Sequence, residues 1–478
     1  MSERSELIER RDVVVIGGGI AGLSAAWRLR DRDVVLLEAS DRLGGRVRSE
    51  PYGEYWMNYG AHLFPAPGSL VDTMAREVGL EMVPVWGGMM GLAVGDKRLT
   101  SGRIESYPFR LPLSLLDRAA FAIKGLQIQR AVAGYQKNAR PGPDDTPAMV
   151  RDRVLGFLDD RTFADFLGSM PKAVEAIFSA ASHRATAELS EISAGGGIGL
   201  FALVWGGKKS LIARNLLGGT GRLPAAMGAE LGDAARTHAK AEAIRPDGDG
   251  LIVEYLDHGT PRRIRARHLV LAAQAPFASG LVADIAPAAS EALGKMSYGA
   301  FLSVAVATKE TASMPWDDVY AMATPGRVFD MFTNQGHALR TPGQRKPGGT
   351  LMLFAGAQAD AALMAESDEA IVDRFVKDLV GLYPEARGLV GDARVQRWPM
   401  GNVYAKPGRQ RLQSAIEGPL GPHANIHLAG DYFAELGNLE MAARTGAAAA
   451  ERVASMLDQG DSPNQGDSPT TAQTEAVR

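Results

Sequence analysis

The sequence predicts an α/β fold: a doubly wound parallel sheet whose chain is interrupted by an inserted mixed α+β region. Three observations carry this reading. A strand, glycine turn, helix and strand open the chain between Val13 and Glu38; an apolar strand run closes it at Ile426–Ala429; and the segments between switch repeatedly from helical to alternating patterns. At about 150 residues per domain, a chain of 478 residues has room for two or three.

Val13–Ile16 is a β-branched apolar run ending at Gly17, Ile20–Leu29 has helical spacing through Leu23 and Trp27, and Val34–Leu37 is the next apolar run, ending at Glu38. Such a βαβ unit requires parallel strands and a right-handed crossover. From Leu70 to Ser190 the pattern turns helical, as in Leu115–Val132 and Phe163–Leu167, with a hairpin signal at Gly95-Asp96. The glycine-rich Leu217–Gly221 leads into an alanine-rich helix, and Leu251–Tyr255 and Leu269–Ala272 read as strands returning to the first domain. Val304–Ala307 and Leu351–Phe354 read as strands of the insert and Ala370–Leu382 as its helix, while Leu439–Met456 is a helix after the last strand. The expected division is one domain from residues 1–70, 212–287 and 398–456, a second from 71–211 and 288–397, and a disordered tail over 457–478. That tail carries Gln-Gly-Asp-Ser-Pro twice and too few apolar residues to offset the entropy of ordering it.

Composition narrows the chemistry. Lys plus Arg (52) nearly balances Asp plus Glu (55), which gives no electrostatic reason to expect nucleic acid. The chain has no cysteine, excluding disulfides, thiolate nucleophiles, Cys-ligated metals and a thioether to any cofactor. No H-E-x-x-H occurs, and the lone H-x-x-x-H, His423 to His427, runs into a strand, so no metal is expected. The charged start MSERSELIERR has no apolar core of a secretory signal, which leads to a cytoplasmic expectation. Leu269–Ala283 is broken by polar residues and falls short of the about 20 residues a membrane span needs. Leu113–Val132 is amphipathic: a buried helix face is one reading, a membrane or partner contact the other.

The opening turn, Gly17-Gly18-Gly19-Ile20-Ala21-Gly22, is a G-x-G-x-x-G between strand and helix. Gly17 permits the turn, Gly19 lets backbone approach a pyrophosphate, Gly22 allows close packing, and the helix start offers unpaired N–H groups to the anion. Glu38 ends the second strand where a carboxylate accepts ribose hydroxyls and repels a 2′-phosphate. Directly after it stands Asp41-Arg42-Leu43-Gly44-Gly45-Arg46. Here the chain resembles the flavin amine oxidase and protoporphyrinogen oxidase superfamily, whose members carry a similar D-R-x-G-G-R stretch. The resemblance implies a Rossmann-like domain holding FAD, with Ala39, Ser40, Gly44, Gly45 and Arg46 in the cofactor-binding set and Ser40, Gly45 and Arg46 along its pyrophosphate and ribityl path. A surface ion pair is the other role open to Arg46.

In that superfamily the next stretch, here Asn58-Tyr59-Gly60-Ala61-His62, passes the flavin ring, which adds Gly60, Ala61 and His62; Asp is commoner at the position of Asn58, and the role of this side chain stays open. Leu428-Ala429-Gly430-Asp431, then Gly437-Asn438-Leu439-Glu440-Met441, resembles the closing flavin segment and adds Gly430, Asp431, Asn438 and Leu439. A helix start aimed at the ring stabilises charge on the reduced flavin. Glu440 lies in that first turn and reads as a capping carboxylate. Gly218–Pro224 resembles the glycine-rich lead into the returning helix, and Ala241-Glu242-Ala243-Ile244 occupies the place of an extended segment whose backbone meets adenine, which adds Ala241.

Amine-oxidising members place two aromatic rings over the flavin and a Lys near N5. Here Ser303 falls at the Lys position and Asn438 at that of the second ring, while Trp398 can supply the first. No catalytic side chain is assigned; His62, Trp398 and Asn438 are the candidates, with core packing the other reading of His62 and Trp398. The expected activity is an FAD-dependent oxidoreductase, its flavin non-covalent unless a histidine carries it, removing a hydride from a C–N or C–C bond of a small organic substrate to N5, with reoxidation by dioxygen. An amine oxidase with an atypical aromatic cage and a non-catalytic flavin- or NAD-binding protein are the alternatives.

Overall fold

Val13, Val14 and Val15 are fully buried, as a strand covered on both faces requires. The computed structural model describes residues 8–85, 91–205, 214–340, 345–357, 361–420 and 425–460. β1 (Glu9–Ile16), α1 (Ile20–Arg28) and β2 (Val34–Leu37) form the opening βαβ unit, with Val13 paired in parallel to Val34. On its other side β1 runs parallel to the strand Thr260–Leu271, whose end pairs in parallel with Ile426–Leu428. The first and last strands of the domain are thereby separated by a single strand.

Beyond this parallel centre the sheet continues as an antiparallel ladder through Gly250–Asp257 to Ala239–Asp247, with a bulge between Ala241 and Ala243. Its two faces are covered separately. Val13, Val15, Val34 and Leu36 pack under α1, Leu70–Glu77, Arg222–Leu231 and the closing helix Leu439–Gly460. Val14, Ile16, Val35 and Leu37 pack under Ala275–Leu281 and Pro287–Gly294. Alternate residues of each strand thus feed opposite cores, which is what makes the sheet doubly wound.

A second, seven-stranded sheet runs in the order Val390–Tyr404, Ser297–Thr308, Gly349–Ala355, Met331–Asn334, Ala321–Ala323, Gly91–Val94, Lys97–Leu99. One face buries Leu302, Val304, Val306, Leu351 and Leu353 against Ile371, Phe375 and Leu379 of the helix Asp368–Leu382. The other face presents Ala305 and Ala307 to Met57 and Tyr59, which follow the first nucleotide-binding segments in the chain. A helical cluster around Ile128, Val132, Phe163, Val174 and Phe178 completes the insert.

Three elements extend past the sequence-based boundaries. The helix Leu70–Glu77 puts Val71, Met74 and Ala75 into the first core, so the change of layer comes after it. The strand Val390–Tyr404 stays in the second sheet past residue 398, because its register with Ser297–Thr308 continues to Tyr404. The closing helix runs to Gly460, as Leu457 is buried in the first core and holds the last turn; residues 461–478 of the expected tail lie outside the described residues. Among the described residues no helix is long and apolar enough to cross a membrane.

Candidate functional site

The glycines of the opening turn stand where no side chain fits. Gly17 has φ +103° and a Cβ there would lie 2.8 Å from the Ala272 oxygen, while a Cβ on Gly22 would lie 1.8 Å from the Gly17 oxygen. Gly19 differs: its Cβ position has nothing within 4 Å, so the backbone faces open space. Gly19 is also the N-cap of α1, with no side-chain cap and no acid in the first turn, which leaves the N–H groups of Ile20 and Ala21 for an anion. Gly44 and Gly45, both at positive φ, close the other side; Gly44 donates to the Gly18 oxygen at 2.7 Å, and a Cβ on Gly45 would be 3.4 Å from the Gly19 Cα.

Glu38 is tied to this turn from the end of β2. Its Oε2 accepts from the Gly18 N–H at 2.6 Å, and its Oε1 accepts from the N–H and hydroxyl of Ser40 at 2.8 and 2.7 Å. The carboxylate is thereby fixed in orientation with lone pairs left over for hydroxyl donors. Ala239 and His238 donate to the main-chain oxygens of Glu38 and Ser40, which joins the start of the strand bearing Ala241 to the end of β2. These residues fit a dinucleotide: an open glycine backbone and a helix start for the pyrophosphate, and an oriented acid for the ribose.

Arg46 joins the two ends of the chain. Its Nη2 donates to Asp431 Oδ1 at 2.8 Å, and its Nη1 to the Gly401 oxygen at 3.4 Å. Burial opposes the charge of Arg46, but Asp431 outweighs it and raises the guanidinium pKa above its ordinary value. The Arg46 main-chain oxygen accepts from Ala61 at 3.1 Å, and a Cβ on Gly60 would sit 2.0 Å from it. Gly430 is fastened to the closing helix through the Thr445 hydroxyl at 3.0 Å. That helix crosses α1 closely enough that a Cβ on Gly446 would be 2.0 Å from the Ala21 oxygen, and the Ser24 hydroxyl donates to Ala443 O at 2.8 Å. Segments predicted from both ends of the sequence are therefore in direct contact.

The ring end is built by the 58–62 stretch under the second sheet. Asn58 is fully buried, accepts from Thr220 at 2.8 Å and so ties the Leu217–Gly221 segment to the cleft. The Tyr59 oxygen accepts from Ser303 at 2.7 Å and from the Trp398 indole at 2.8 Å, so both side chains position this backbone. His62 stacks obliquely on Tyr320 and Phe354, with centroids 6.0 and 6.2 Å away, and Phe354 meets Phe301 at 4.8 Å. Burial pushes the His62 pKa down to about 4, with the Arg184 charge acting in the same direction, so its imidazole is neutral near pH 7.

Two roles expected from the sequence change. Asn438 commits its side chain to backbone, accepting from Met441 N–H at 2.8 Å and donating to Leu436 O at 3.0 Å; it caps the closing helix in the place of a second ring. Glu440 caps, but not its own helix: it accepts from Leu70 and Val71 at the start of Leu70–Glu77 and pairs with Arg444 at 2.6 Å. Its charge is thereby drawn away from the start of the closing helix. Among the described residues no cluster of three or more His, Asp or Glu can hold a metal; His423 and the Lys208-Lys209 pair lie outside them. Tyr320, Phe354 and Arg184 carried no sequence signal, since each sits alone in its segment and only the fold gathers them.

A doubly wound nucleotide cradle, closed by its own C-terminal helix and roofed by a second sheet, defines a flavoprotein oxidoreductase. The chain belongs to the flavin-containing amine oxidoreductase family, which it matches over residues 20–454. It is 28% identical over 273 residues to flavin-containing amine oxidase A of Canis lupus familiaris, covering 52% of this chain and 47% of that protein, so the match spans about half the relative's length. Coproporphyrinogen III oxidase of Mycobacterium tuberculosis is 24% identical over 468 residues, covering 89% of this chain and 94% of that one. Among solved structures, cyclohexylamine oxidase from Brevibacterium oxydans is similar in fold, with a TM-score of 0.74 at 20% identity over 94% of this chain and 99% of that one.

Proposed function

We propose that this enzyme oxidises a small organic substrate at a C–N or C–C bond, with dioxygen as the final electron acceptor. When bound, FAD supplies the two-electron chemistry by accepting a hydride at N5. The observation that carries the reading is the Arg46–Asp431 pair, which fixes the opening and closing nucleotide motifs in one cleft beneath the His62, Tyr320 and Phe354 wall.

The protein's share is binding, orientation and charge. Gly17, Gly19, Ile20, Ala21 and Gly22 hold the pyrophosphate, Glu38, Ala39 and Ser40 the ribose, and Ala241 the adenine through its backbone. Gly44, Gly45, Arg46, Gly430 and Asp431 follow the ribityl chain, and Gly60, Ala61, His62, Asn438 and Leu439 border the ring. The chain has no thiol for a thioether, in keeping with a cofactor held non-covalently. The FAD unit draws on the described residues of 8–77, 214–294 and 405–460, and the second sheet with its helices forms the substrate side. Trp398 and Ser303 position the Tyr59 backbone at that border, and His62, neutral near pH 7 and a weak base, borders the ring beside them.

The test is anaerobic mixing of the purified holoenzyme with amines, amino acids and reduced cyclic metabolites, followed by readmission of air. The reading predicts loss of the flavin absorption with at least one class and its return in air with formation of hydrogen peroxide. Flavin that no class bleaches supports a binding protein without turnover instead.

A further inference from the structure

Among the described residues Arg184 is a cation with no counter-ion, and its charge reaches His62. It lies on the single turn His183–Ala185, which ends at Thr186 in the left-handed region with φ 60°. The turn is locked in place. The His183 imidazole meets Asp330 at 2.6 Å and Glu188 at 3.2 Å, and Asp330 also accepts from the Gly356 N–H at 2.8 Å. Its backbone presses on both strands of the aromatic wall: a Cβ on Gly356 would be 1.8 Å from His183 O, and one on Gly299 would be 1.8 Å from Thr186 O. Gly356 is two residues past Phe354, Gly299 is two before Phe301, and the strands bearing these rings are paired.

The acids beside the turn are engaged elsewhere. Asp330 and Glu188 hold His183, and among the described residues no acceptor bonds the Arg184 side chain. The side chain of Arg184 is partly exposed, and its charge reaches His62. Burial, with no acid to counter it, lowers the Arg184 pKa from its ordinary value. A half-buried guanidinium without a partner is unfavourable, and a carboxylate is the ligand its planar fork matches.

We infer that Arg184 is a substrate-recognition residue that binds a carboxylate, selecting a small anionic substrate whose apolar body lies along Phe301, Phe354 and Tyr320; where the bond oxidised is C–N, the substrate is an amino acid. The inference rests on the proposed oxidase reading of the same cleft. It is tested on the holoenzyme by titrating benzoate, phenylacetate and hexanoate, each against its neutral amide, with flavin absorbance and thermal shift as readouts. The carboxylates are expected to bind about 100-fold more tightly than the amides, as for one charge-assisted bidentate contact. Arg184→Ala should remove that preference while leaving amide binding unchanged, and Arg184→Lys should restore part of it. Equal binding of acids and amides by the wild type, or an equal loss of both in Arg184→Ala, overturns the inference. Because these ligands are not oxidised, the result stands apart from the bleaching experiment, whose failure would count against the oxidase reading alone.

Discussion

Arg46, Asp431 and Gly446 show how few side chains unite the ends of the chain. The Arg46 and Asp431 side chains are 27% and 9% exposed, so Asp431→Asn should cost about 2 kcal/mol, below the cost of breaking a fully buried pair. Chemical denaturation of the apoprotein reads that loss, and FAD affinity should fall at least about tenfold. Gly446→Ala is expected to destabilise by about 2–3 kcal/mol, because the added methyl would meet the Ala21 oxygen. A variant with unchanged melting temperature and FAD affinity would contradict the close crossing of the two helices.

At the scale of elements, the segments visible in the sequence are those whose backbone dictates its own residues. Gly17, Gly22 and Gly44 are legible because no other residue fits their turns, and β1 and β2 because strands buried on both faces admit only apolar runs. Glu440 was half legible: its position in a first turn announces a cap, but the helix it caps starts 370 residues earlier, and only the fold brings that start to it. Arg184 was not legible at all, since being without a partner is a property of three-dimensional neighbours. The helix Leu115–Ala139 lies between these cases. It buries Ile128 and Val132 as its pattern suggests, yet leaves Leu115 83% and Leu116 72% exposed. Ile128→Ala should therefore cost about 2–4 kcal/mol and Leu116→Ser less than about 0.5 kcal/mol, as measured by denaturant midpoints.

For the whole molecule, buried histidines set the stability profile on the acid side. Burial holds His62 and His337 near pKa 4 and His427 near 3, so the folded chain leaves them neutral where the unfolded chain binds protons. Stability should thus fall as pH drops from the unfolded value of about 6.5 through 4. His183 acts oppositely: burial disfavours its charge, but Asp330 and Glu188 lift it to about 9, a stabilisation complete below about pH 6.5 and lost as pH rises through 9. Melting temperatures from pH 4 to 9 should fall at both ends, and His183→Gln should flatten the alkaline limb alone. The central claim is that one FAD is shared by the opening turn and the closing helix. Its most direct measurement is the flavin content of the purified chain, released by heat or acid, together with FAD titration of the apoprotein and of Asp431→Ala. The account predicts about one FAD per chain, all of it released, and a markedly weaker complex in the variant; a chain that takes up no FAD, or binds it equally well without Asp431, would contradict it.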